Sequence, residues 1–397
     1  MGELEQLAEL LEEFLDAPLR GSTNLLVLQG TPFCNIDCAY CYLPDRDSRA
    51  RMAPALVEQA ASWLHRSGLA ADELTIVWHA GEPLVLPIAW YEDAFARIAS
   101  AMPGRAVRHA FQTNGLLIDE AWCAFFARHC VSVGVSIDGP ARLHDARRRT
   151  RAGRGTHDGA MRAVRLLQRH GVRFHALAVV GEAALDDPDG FVDFFLDAGI
   201  EALGLNVEEI EGANRASSLA HPDVERRFRA FLARVTDRAL ASGRLRLREF
   251  WNMAERCLSE SAANDEATPF AILTVTADGA LSTYSPELAG GDGRFAIGRF
   301  DERGSAGLFD VIDRQRLLAL AAQVHRGVRR CTSCAYFRLC GGGAPANKLA
   351  ENGSFDSGET LFCRLTRQAA AEVALERLAL VADLLDNSAE FKISKCN

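Results

Sequence analysis

The stretch Cys34-Asn35-Ile36-Asp37-Cys38-Ala39-Tyr40-Cys41 sets three thiols at the spacing C-x3-C-x2-C. Three thiolates can hold three irons of a [4Fe-4S] cluster and leave the fourth iron open, a place to bind and cleave something. A four-cysteine structural site closes its metal, whereas a three-cysteine site leaves room for an exogenous chelate. The other reading of these residues is a zinc knot or three unrelated thiols. The apolar run Asn24 to Gln29 has strand length and ends just before the first cysteine. The cysteine loop therefore follows the carboxyl end of a strand.

Outward from that loop the chain alternates. Glu73 to His79, Ala106 to Thr113, Val131 to Ile137, Val172 to Val180 and Ala202 to Val207 read as strands. Residues 52–67, 88–102, 118–129, 157–170 and 188–198 read as helices,. With the helix after the last strand these make six β/α units, which predicts a parallel sheet buried on both faces and a partial (β/α)6, TIM-like barrel,. Chemistry in such sheets sits at the carboxyl ends of the strands. The polar motifs fall there: the cysteine loop, His79-Ala80-Gly81-Glu82-Pro83, Thr113-Asn114-Gly115, Ser136-Ile137-Asp138-Gly139 and Asn206-Val207-Glu208-Glu209.

The 397 residues are 48% hydrophobic, enough for one large core and a smaller appended domain,. A formal net charge of −9 argues against a nucleic-acid footprint, and the arginines at 147–149, 151 and 154 are too local to change that,. No apolar run reaches membrane-spanning length and no signal peptide is visible, so a cytoplasmic protein without a membrane partner is expected. Helical spacing over residues 3–16 predicts a short helix within an N-terminal segment, 1–22, ahead of a barrel over 23–218. A helical bridge is expected over 219–268, then a second domain over 269–386 opening with a hairpin around Asp278-Gly279, and a polar tail over 387–397,. That second domain carries Cys331-x2-Cys334-x5-Cys340 and Cys363. Cys123, Cys130 and Cys257 read as core thiols and Cys396 as a tail thiol.

The first cysteine spacing resembles the signature of the radical S-adenosylmethionine (SAM) enzymes. The resemblance implies that the open iron chelates SAM and that an electron from the cluster, supplied by an external one-electron reductant, splits it to methionine and a 5′-deoxyadenosyl radical. It further implies that Gly81 and Glu82 hold the methionine moiety, Ser136 the ribose and Arg148 the SAM carboxylate, with the backbone beside Tyr40 near the adenine. Asn114 either places an amide near the cofactor or belongs to an ordinary turn. The second cysteine group, followed by Gly341-Gly342-Gly343-Ala344-Pro345, is similar to the SPASM domain of peptide-modifying members. Ala344 stands where a cysteine of that pattern would be, so the resemblance implies one auxiliary [4Fe-4S] cluster on Cys331, Cys334, Cys340 and Cys363, two clusters in all. A structural zinc on these four thiols is the alternative.

The segments Leu28 to Cys34, Cys41 to Arg46, Asn206 to Gly212, Arg248-Glu249-Phe250 and Ser282 to Glu287 resemble the cyclophane-forming subgroup that matures glycine-rich precursor peptides. The function this implies is removal of a Cβ hydrogen from a ribosomally made precursor peptide and a bond from that carbon to an aromatic ring two residues earlier. Glu287, Glu209 and Glu208 are the candidate catalytic carboxylates. Other peptide modifications (thioether crosslinking, epimerisation, formylglycine formation) share every SAM-binding residue, and a non-enzymatic iron–sulfur or zinc protein is the rival of a different class.

Overall fold

The computed structural model describes residues 22–259, 263–300 and 310–387. The helix expected over 3–16 and nearly all of the expected tail lie outside them. Among the described residues the strands are β1 (Thr23–Leu28), β2 (Ile36–Cys38), β3 (Ala70–Trp78), β4 (Val107–Thr113), β5 (Ser132–Ser136), β6 (Arg148–Thr150), β7 (Phe174–Val180), β8 (Ala202–Val207), β9 (Arg246–Leu247), β10 (Ile272–Val275), β11 (Ala280–Thr283) and β12 (Gly298–Arg299). Strands β1, β3, β4, β5, β7 and β8 pair in parallel in that order. Helices Pro54–Arg66, Ile88–Ala101, Glu120–Arg128, His157–Arg169 and Pro188–Asp197 cross between them, as the alternation predicts for a partial (β/α)6 barrel. The sheet ends on β9 at one edge and β12 at the other, so the barrel stays open.

Two pairings join parts of the chain far apart in sequence. The β10–β11 hairpin turns at Gly279, whose φ is +88°. Its first strand pairs in parallel with β1, Leu25 opposite Ile272, so the hairpin continues the barrel's own sheet. A separate two-stranded ladder joins β2 to β6 and sets Cys38 opposite Arg148.

Packing beneath the strand ends is aromatic. Leu74, Ile76 and Trp78 of β3 are fully buried. Trp78 meets Tyr91 edge-on at 5.2 Å between centroids, and Tyr91 meets Phe111 at 4.8 Å. Each such ring stabilises by roughly 1.5–3 kcal/mol on burial, which holds the strands in register under the loops. Among the described residues no helix is long and apolar enough to cross a membrane.

Candidate active site

A cavity of about 360 Å3 opens at the carboxyl ends of the barrel strands, lined by Cys34, Cys38 and Cys41 and also by Glu209, Glu211 and Glu287. Tyr40, Gly81, Glu82, Asn114, Ser136 and Arg148 line it too. Every residue expected around SAM therefore shares one space with the cysteine triad.

Local backbone bonds set the thiols. Cys34 N–H donates to Arg46 O at 3.1 Å, Cys41 N–H to Cys38 O at 3.2 Å, and Ala39 N–H to Arg147 O at 2.9 Å. Asn114 Nδ2 lies 3.9 Å from Cys34 Sγ and donates to Asn35 Oδ1 at 2.7 Å. Burial pushes the Cys34 thiol up to about 12 and Cys38 to about 11, with the neighbouring thiols adding to the rise. Such a set carries thiolates only where a cation compensates them, which is what an iron–sulfur core supplies. A lone zinc would draw its sulfurs to about 2.3 Å.

Past β3 the chain turns through two left-handed residues, Ala80 (φ +72°) and Gly81 (φ +59°). A Cβ on Gly81 would stand 2.5 Å from Phe33 O and 2.6 Å from Thr31 O, so only glycine fits against the cysteine loop,. Glu82 is 1% exposed, and its carboxylate accepts from Leu84 N–H (3.0 Å), Thr113 Oγ1 (2.6 Å) and Asn114 N–H (2.8 Å). Burial raises its pKa to about 7 against the pull of these three donors,. Glu82 thus ties the second and third strand-end loops together while facing the cavity.

Asp138 is a hub that the sequence reading missed. It accepts from Tyr40 Oη at 2.5 Å and from Val179 N–H at 2.9 Å, and it pairs with Arg148 Nε at 3.0 Å. Arg148 Nη1 lies 3.9 Å from Cys38 Sγ. The Arg147 and Arg148 guanidiniums stand 4.4 and 5.3 Å from the Tyr40 ring centroid, a cation–π clamp on the cysteine loop,. Ser136 Oγ accepts from Gln112 Nε2 at 3.0 Å.

Of the three expected carboxylates, Glu209 and Glu287 line the cavity. Glu208 is absent from the cavity lining: it ion-pairs with Arg147 and accepts from Ser218 N–H at 2.9 Å. Glu211 lines the cavity with Glu209 and Glu287 instead. Glu208 N–H still bonds Val180 O at 2.9 Å, one residue past the end of β8, while its side chain pairs with Arg147. Glu209 is pushed up to about 7 by burial, held down by a hydrogen bond from Asn347 (2.7 Å) and raised by Glu287. Glu211 is raised well above the usual range by burial and by Glu287, and it shares a hydrogen bond with Glu209. Glu287 is raised by burial and accepts from Ser285 Oγ. The strand-to-loop turn before it needs Tyr284 at φ +76°, a position that costs a side chain about 1–2 kcal/mol,. A second cavity, also about 360 Å3, shares Glu209, Glu211 and Glu287 and continues to Arg248, Ala344 and Asn347.

The second cysteine group also comes together. Cys331 ends helix Arg314–Arg330, Cys340 ends the turn Phe337–Cys340, and Cys363 closes Leu361–Cys363 just before a wide π-turn, Arg364–Gln368. Burial lifts Cys363 to about 12, with Cys340, Glu359, Cys331 and Cys334 adding. The Cys331, Cys334 and Cys340 thiols are thus near enough to Cys363 to disfavour its ionisation, and Ala344 is buried,. Of the remaining cysteines Cys123 is buried as expected, whereas Cys130 is exposed at the helix exit and is not a core residue.

The family profile of the Radical SAM superfamily matches residues 28–195. An uncharacterized protein of Synechocystis sp. is 39% identical over 371 residues, 90% of this chain and 92% of its own length. The serine-type anaerobic sulfatase-maturating enzyme of Klebsiella aerogenes is 30% identical over 324 residues, 80% of this chain and 78% of its own length. Among solved structures, native anSMEcpe with bound AdoMet superposes with a TM-score of 0.74 at 22% identity, over 91% of this chain and 99% of that one. Streptococcus suis SuiB bound to precursor peptide SuiA superposes at 0.63 and 16% identity, over 90% and 80%. Those two likenesses speak to the fold. With the cysteine triad at the head of a partial barrel and a profile match that begins in β1, the chain belongs to the radical SAM superfamily of enzymes.

Proposed function

We propose that the chain is a peptide maturase that joins the Cβ of one residue of a ribosomal precursor peptide to an aromatic ring two residues earlier, a three-residue cyclophane. In this reading Cys34, Cys38 and Cys41 hold the SAM-binding cluster, and Cys331, Cys334, Cys340 and Cys363 hold an auxiliary one. When bound, SAM and its cluster supply the radical that removes the Cβ hydrogen. Tyr40, Asp138 and Arg148 hold the cofactor end of the cavity, and Glu82 fixes the loops around it. Ring attack by the carbon radical leaves one proton and one electron to be lost. Glu209 or Glu287 takes the proton, and the electron leaves toward the second cysteine group.

The observation that carries this reading is the position of Glu209, Glu211 and Glu287, which line both the cavity of the cysteine triad and the cavity that runs on to Ala344 and Asn347. A carboxylate with a pKa near 7 suits a general base at neutral pH,. The segments that resemble the cyclophane subgroup also meet here, since Asn206, Glu209, Arg248 and Glu287 line one cavity.

A second reading, formylglycine formation, is favoured by the 30% identity to a serine-type sulfatase-maturating enzyme. It needs the same proton and electron exits. Anaerobic co-expression with candidate precursor peptides, followed by tandem mass spectrometry, separates the two. A cyclophane removes two hydrogens and suppresses backbone fragmentation between the ring residue and its partner. Formylglycine removes two hydrogens at a serine and leaves fragmentation ordinary.

A further inference from the structure

Helix Pro345–Asn352 carries two buried polar residues side by side. Asn347 bonds Glu209 at 2.7 Å, whereas Lys348 places Nζ 2.6 Å from Gly327 O and 3.4 Å from Cys331 Sγ. Lys348 is only 4% exposed. The run Gly341-Gly342-Gly343 is left-handed throughout, with φ of +61°, +102° and +77°, and a Cβ on Gly343 would stand 3.7 Å from Lys348 Cε. Among the described residues no carboxylate ion-pairs with this ammonium; its partners are a carbonyl oxygen and a sulfur.

A buried cation with no counter-charge is strongly unfavourable, so the site calls for negative charge close by. Four thiolates outweigh the charge of an iron–sulfur core, and uptake of an electron makes the assembly more anionic still. Hydrogen bonds to the sulfurs and nearby positive charge favour that reduced form. We propose that Lys348, by donating to Cys331 Sγ, raises the reduction potential of the cluster held by Cys331, Cys334, Cys340 and Cys363 and so fits it to accept the substrate's electron. The inference rests on the auxiliary-cluster reading above. The step concerned is uptake of one electron from the ring radical, whose proton goes separately to the carboxylates. A lysine that merely caps Gly327 O would leave the potential unmoved.

The test uses the full chain with Cys34, Cys38 and Cys41 all changed to alanine, reconstituted with iron and sulfide, so that one cluster remains. Its midpoint potential is read by electron paramagnetic resonance during a redox titration. Lys348→Met is expected to shift it negative by about 59 mV or more, tenfold in a one-electron reduction equilibrium, and Lys348→Arg to restore most of that. Should the methionine variant lose iron, Lys348→Gln is read by the same criterion. Full iron content with an unmoved potential overturns the role of Lys348. A parent protein that binds zinc or no iron overturns the auxiliary-cluster reading itself.

Discussion

Asn347 donates a 2.7 Å hydrogen bond to Glu209, tying the helix behind the second cysteine group to a carboxylate of the first cavity. Asn347 is 3% exposed, so no water readily replaces it. Its donor stabilises the ionised form of Glu209. Asn347→Ala is therefore expected to push Glu209 further up and to lower modified peptide about tenfold at neutral pH, the worth of one charge-assisted hydrogen bond. Deoxyadenosine release should stay within about twofold, because no bond of Asn347 reaches the cysteine triad. Quantifying both products by chromatography checks the split.

Glu209 predicts a pH dependence. With its pKa raised to about 7, it is protonated and inert as a base below that value and competent above it. Peptide product is expected to rise with pH through about 7, an apparent value belonging to the carboxylate cluster, and Glu209→Gln should lower the product and shift that dependence without flattening deoxyadenosine release. Stability runs the other way. A carboxyl raised in the fold contributes stability fully present below its unfolded value of about 4.3, and that contribution is lost as pH rises through about 7,. The unfolding free energy of Glu209→Gln in urea should therefore vary less between pH 5 and pH 8 than that of the parent.

At the loop after β3, two adjacent substitutions should act in opposite directions. Gly81→Ala would drive a Cβ into the carbonyls of Thr31 and Phe33, so it is expected to cost more than about 3 kcal/mol or to misplace the cysteine loop,. Ala80→Gly relieves a left-handed alanine and should stabilise by up to about 1 kcal/mol,. Thermal unfolding under anaerobic conditions reads both.

Cys331→Ala separates the two cysteine groups. Modified peptide should fall at least tenfold more than deoxyadenosine release does, since the triad and its cavity contain no atom of Cys331,. Equal loss of the two products would remove the electron-exit role of the second group.

The barrel was legible because its strands are buried on both faces and read as continuous apolar runs such as Leu25 to Leu28, with amphipathic helices between,. Strand-end motifs then located most of the site. What periodicity does not carry is pairing at a distance. The β2–β6 ladder has three residues on each side and joins Cys38 to Arg148, and nothing in either segment names its partner. The same holds for β10 against β1, and for Asn347 against Glu209. Asp138 was quoted within a motif yet left without a role, because its three contacts come from Tyr40, Arg148 and Val179, on three different segments. Glu208 and Glu211 lie past the end of β8, where the strand pattern stops, so nothing local in the sequence says which of them shares the cavity with Glu209.

The most direct test of the account follows the hydrogen. A precursor peptide that the enzyme modifies, deuterated at the Cβ of the residue to be linked, is turned over anaerobically with SAM and a one-electron reductant, and the 5′-deoxyadenosine is weighed by mass spectrometry. The account predicts deuterium in the deoxyadenosine and a product with its ring bonded to that same carbon. Undeuterated deoxyadenosine, released alongside peptide that is modified all the same, would contradict it.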